Sequence, residues 1–76
     1  MDNKKRGRLR DAIKLLDGAS AIVSEVCDKE EDCLDNYPEN LQGTERFEHM
    51  ENAVDNLNEA LESIDEAKTQ IETAIG

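Results

Sequence analysis

Residues 44–76 read TERFEHMENAVDNLNEALESIDEAKTQIETAIG. Large apolar side chains recur through this stretch at alternating steps of three and four: Phe47, Met50, Val54, Leu57, Leu61, Ile64, Ile71 and Ile75. Steps of that kind place side chains on one face of an α-helix; a strand would alternate every second residue. In a heptad frame Phe47, Val54, Leu61, Lys68 and Ile75 take position a, and Met50, Leu57, Ile64 and Ile71 take position d. Ala53, Ala60, Ala67 and Ala74 all fall at g, so a line of small residues runs beside the line of large ones. The opposite flank is polar, with Glu48, Glu51, Asp55, Asn58, Glu62, Asp65 and Glu72. Thr44 is a good N-cap, and Glu45 and Glu48 sit in the first turn, where the helix dipole favours a negative charge. The spacing predicts a helix over 45–75.

The first half carries the same rhythm with two interruptions. Leu9, Ile13, Leu16, Val23, Cys27 and Leu34 hold the alternating steps, and Ser20 and Glu30 occupy the missing positions. Ala12, Ala19, Val26 and Cys33 form an adjacent, mostly small stripe, while Leu15 and Ile22 widen the apolar face beyond what one partner helix needs. Gly18 falls at an outward position. A helix over 4–34 is predicted. Between the two helices, residues 35–43 form a connector: Pro38 disfavours helix at Tyr37, residues 38–41 have room for one short helical turn closed by Gly43, and Tyr37 and Leu41 are placed to fold back over the open end of the pair. The chain therefore reads as one all-α domain over 1–76, an antiparallel two-helix hairpin with arms about 45 Å long.

A chain of 76 residues with only two aromatic side chains, Tyr37 and Phe47, buries little surface by itself. Both predicted helices have apolar residues beside the seam that a lone hairpin leaves wet. Two hairpins packed as a four-helix bundle with two-fold symmetry would cover them. The sequence thus predicts a homodimer, with Ala53, Ala60, Ala67, Ala74, Leu15 and Ile22 as its candidate interface.

The net charge is −10, unevenly placed. Lys4, Lys5, Arg6, Arg8 and Arg10 face a single acid, Asp2, in the first ten residues, and everything after them is strongly acidic. Such a body repels nucleic-acid phosphates and anionic membranes, so a partner steered by charge would be basic. In an antiparallel hairpin the basic start lies beside the end of the second helix and matches Glu62, Asp65, Glu66 and Glu72 there, together with the free carbonyls of the helix end. The alternative use of Lys4, Lys5, Arg6, Arg8 and Arg10 is as an anion-binding tip, for instance for a nucleotide. No stretch is long and apolar enough for a signal peptide or a membrane span. Cys27 and Cys33, six apart on one helix, are about 9 Å from each other, too far for a disulfide. Two reduced and partly buried thiols in a cytoplasmic protein are the expectation.

Little in the chain points to catalysis. His49, the only histidine, lies on the polar side and is predicted to face solvent. No nucleophile–base pair assembles locally, and the glycines are isolated, so no phosphate loop is present. The acidic run Asp28–Asp32 with Asp35 lacks the ordered oxygen ligands and central glycine of a calcium loop. No catalytic residue, metal site or cofactor is predicted. Lys68 at a seam position is expected to extend its ammonium to a carboxylate at the seam's edge and to fix register. Glu48, Glu51, Asp55, Glu62 and Asp65 make a row of carboxylates along a rigid rod. That row either keeps the protein in solution or binds a basic partner, in the limit by imitating nucleic-acid phosphates.

Residues 36–67, NYPENLQGTERFEHMENAVDNLNEALESIDEA, are similar to short acidic helical proteins encoded in phages and prophages of Gram-positive bacteria. In those proteins a turn reading Pro-Glu-Asn-Leu-Gln-Gly, here Pro38 to Gly43, precedes a helix rich in Glu, Ala, Leu and Ile. The resemblance covers a little under half of the chain and is more specific at the turn than along the helix. It implies a phage setting in a bacterial cytoplasm and, by analogy, binding to a host protein. No activity comes with it.

Overall fold

The computed structural model describes all residues from Met1 to Gly76. Two helices, α1 (Asn3–Asp35) and α2 (Glu45–Ile75), run antiparallel and pack along their length, joined by a short 3-10 turn at Glu39–Leu41. The molecule is a rod of 59 × 15 × 13 Å. Its radius of gyration is 17.3 Å, against about 11 Å for a compact domain of this length.

Each helix end is satisfied locally. Asp2 caps α1 by accepting from the backbone N–H of Lys5 at 2.8 Å, and Thr44 caps α2 by accepting from that of Phe47 at 3.3 Å. At the far end of α1 the side-chain amide of Asn36 donates to the Asp32 carbonyl at 2.9 Å. In the connector the hydroxyl and N–H of Thr44 both donate to the Leu41 carbonyl, at 2.8 and 3.3 Å. The Tyr37 ring packs tilted against Phe47, centroids 5.2 Å apart, and closes that end of the seam. Leu41 does not join it and remains 41% exposed. The turn is built around Leu41's carbonyl, and Tyr37 already covers Phe47. Gly43 keeps a negative φ, so the turn needs no left-handed residue there.

The seam is thin. Only Cys27 (2% exposed) and Val54 (7%) are buried, one from each helix. The other seam residues, including Leu9, Ile13, Leu16 and Val23 on α1 and Leu57, Leu61 and Ile64 on α2, are half-buried. The chain exposes 5769 Å², where a folded monomer of its mass exposes about 4,650 Å², an excess of about 1,100 Å².

Gly18 lies inside α1, and a Cβ built there meets no atom within 4 Å. Gly18→Ala should therefore raise stability by about 1 kcal/mol through the lost backbone freedom of the unfolded chain. Chemical denaturation with an unchanged m-value would record it; a lower midpoint would show that the site is crowded.

Candidate functional site

The hairpin has two unlike faces, and the sequence dictates both. Along α1 the residues just before each seam position are Arg8, Ala12, Leu15, Ala19, Ile22, Val26, Lys29 and Cys33. Along α2 the residues just before a seam position include Ala53, Ala60, Ala67 and Ala74. One residue back along a helix is a turn of about 100°. Because the helices run in opposite directions, that turn carries both stripes to the same side of the hairpin. The result is a mainly apolar face, with Leu15, Ile22 and Val26 of α1 beside the alanines of α2, interrupted by Arg8 and Lys29 on α1 and by His49, Asn56, Ser63 and Gln70 on α2. Leu15 is 76% exposed, Ile22 65% and Val26 45%. Ala60 and Ala67 are half-buried against α1, and Ala53 and Ala74 are open.

The residues just after the α2 seam positions turn to the opposite side. They are Glu48, Glu51, Asp55, Asn58, Glu62, Asp65, Thr69 and Glu72, all exposed. The candidate acidic row therefore exists as a row, directly behind the apolar face. α2 carries nine acids against Arg46 and Lys68, whereas α1 carries eight acids against seven bases.

Two polar clusters bridge the helices on the acidic side. Lys68 reaches from its seam position to the carboxylate of Asp17 in an ion pair, with its side chain 24% exposed. The hydrogen bond to Asp17 raises the lysine pKa; desolvation opposes it, and Asp17, Asp65 and Glu72 add to it through their charges. A folded-state pKa raised above the unfolded value stabilises the fold below that unfolded value, near pH 10. The contribution is lost only as pH rises through the still higher folded pKa. The second cluster surrounds Cys27, whose thiol lies 3.6 Å from both Glu31 Oε1 and Asn58 Oδ1 and donates to one at a time. The Asn58 amide donates to the same Glu31 oxygen at 3.4 Å. Burial and the Glu31 carboxylate raise the Cys27 pKa, which keeps the thiol protonated and unreactive. Cys33 is free and exposed, not partly buried as expected, because it lies one residue before the seam position Leu34 and turns away from α2.

The basic start divides. Arg6 donates through Nε to the Ile75 carbonyl at 3.2 Å, tying the start of α1 to the end of α2. It meets the helix terminus and not Glu62, Asp65, Glu66 or Glu72, because none of the three ion pairs involves those four. Lys4, Lys5 and Arg8, with Met1, Asp2 and Leu9, line an open depression of about 640 Å³. Arg10 lies outside that depression, exposed. His49 is also exposed. No three His, Cys, Asp or Glu residues gather as a metal site. No helix is long and apolar enough to cross a membrane. Sequence reasoning missed the Cys27–Glu31–Asn58 cluster and the Asp2 cap. The cap was signalled by an Asp directly before a helical run. The cluster had no signal, because it depends on how far one helix is slid along the other.

No family model, curated protein or solved structure matches the chain.

Proposed function

We propose that the protein is a non-enzymatic protein–protein interaction module that works as a homodimeric four-helix bundle. The observation that carries this reading is the two-faced hairpin. An apolar face rests on Leu15, Ile22 and Val26, and an acidic face rests on Glu48, Glu51, Asp55, Glu62 and Asp65. The excess exposed area, about 1,100 Å², is close to the roughly 800 Å² per partner of a standard interface. Covering the apolar face with a second copy leaves two acidic faces pointing outward, one on each side of the bundle. A basic protein of a bacterial host fits them, in line with the resemblance to phage-encoded proteins.

The rigid acidic row supports a second reading, an inhibitor that imitates nucleic acid. Its five carboxylates span about 26 Å, a mean spacing of about 6 Å, compared with one charge per 3.4 Å along a DNA strand. The row is thus sparser than a DNA strand, and the general module is the stronger reading. A nucleotide-binding role for Lys4, Lys5, Arg6, Arg8 and Arg10 is a weaker third, with only an open depression behind it.

The test is capture of host proteins on the immobilised protein beside a variant carrying Glu48→Gln, Asp55→Asn and Glu62→Gln. A basic partner held by the first and lost by the second supports the module. The same proteins on both would show that the acidic face only confers solubility. If the partner is displaced by DNA in low salt, the mimic reading prevails; indifference to DNA removes it.

A further inference from the structure

The apolar face leaves open how two copies meet on it, and the charges of α1 decide. Residues 4–14 hold six bases against Asp11, and residues 25–35 hold six acids against Lys29. The helix is nearly neutral in sum and opposite in sign at its two ends. α2 is acidic from end to end.

Two stackings satisfy a two-fold axis. With the axis along the helices, α1 lies on the partner's α2. Both acidic 25–35 segments then gather at one end of the bundle, with both connectors. With the axis across the helices, α1 lies antiparallel on α1 of the partner. Each basic 4–14 segment then lies over an acidic 25–35 segment. Packed helices are about 8–10 Å apart, which is within the screening length of about 10 Å at 0.1 M salt, so this difference is felt.

Resting on the homodimer reading, we infer that two copies stack with α1 antiparallel on α1 of the partner, the Leu15–Val26 ridge packing on itself. The ridge has the symmetry this needs. Arg8, Ala12, Leu15 and Ala19 run inward from one end, and Cys33, Lys29, Val26 and Ile22 run inward from the other with the same steps. Leu15 therefore meets Val26 of the partner subunit, and Ala19 meets Ile22 of the partner subunit. The alanine shelves of the two α2 helices face one another, and their small side chains let the backbones close. Both acidic rows point away from the axis.

Site-directed cross-linking in a Cys33→Ser background tests the arrangement, Cys27 being buried and out of reach. A chain with Leu15→Cys mixed with a chain with Val26→Cys should give a covalent dimer under a short bis-maleimide. Leu15→Cys alone should give none, because the two copies of that position lie about 16 Å apart along the axis. Leu15→Cys mixed with Ala67→Cys should give none either. Cross-linking of Leu15→Cys to Ala67→Cys, without cross-linking to Val26→Cys, would overturn this stacking in favour of the other. Light scattering on the same samples separates the two readings. A monomer defeats the homodimer itself, and a dimer with no Leu15–Val26 link defeats only the antiparallel α1 arrangement.

Discussion

Val54→Asp should unfold the hairpin at room temperature, with loss of its helical circular dichroism. Val54 is 7% exposed and is one of only two buried residues. An unpaired carboxylate at a buried site costs several kcal/mol even after the surroundings relax. A chain of 76 residues with so thin a seam holds about 3–5 kcal/mol, so the substitution removes most or all of it. Two positions along, Asn56 is exposed, and Asn56→Asp should leave the spectrum and the melting curve as they were. A folded Val54→Asp protein would show that the seam is not what holds the helices together.

The second large effect concerns assembly. Leu15→Glu combined with Ile22→Glu should convert the proposed dimer to a monomer without breaking the seam. Both side chains are open in the hairpin, 76% and 65% exposed, so the isolated fold does not depend on them. In the proposed bundle each would contribute about 1.5–3 kcal/mol of apolar burial, and a dimer would contain two of each, so about 6–12 kcal/mol is at stake. At about 1.4 kcal/mol per tenfold, even the low end weakens association about 10⁴-fold. Sedimentation across a concentration series would measure it. A variant that stays dimeric at low micromolar concentration would place the interface elsewhere.

The helices were legible because their signals are local. The apolar steps from Phe47 to Ile75 and the cap at Thr44 give α2 its bounds at 45 and 75, and α1 extends one residue past expectation at each end. Pro38 and the residues after it gave the short turn. What needed the structure was everything that depends on sliding one helix along the other. Lys68 was recognisable as a polar seam residue, but its partner Asp17 was not. Asn58 read as one more polar residue until α1 placed Cys27 and Glu31 beside it. The pairs Asp17–Lys68 and Cys27–Asn58 lie symmetrically about Gln42 and Gly43, so the connector sets that register. No spacing within either helix encodes it. The acidic row and the alanine stripe were each visible as patterns. That they flank the α2 seam on opposite sides was legible too, but that Leu15, Ile22 and Val26 of α1 join the alanines on one side follows only once the helices are known to run antiparallel along a shared seam. Leu41 shows the limit at the turn, where its carbonyl accepts from Thr44 while its side chain stays 41% exposed.

Everything proposed for the apolar face rests on a second copy covering it. Light scattering across a chromatographic peak at micromolar concentration tests it directly. A single species at twice the 8.5 kDa chain mass is expected, and a clean 8.5 kDa species would show that no second copy covers that face.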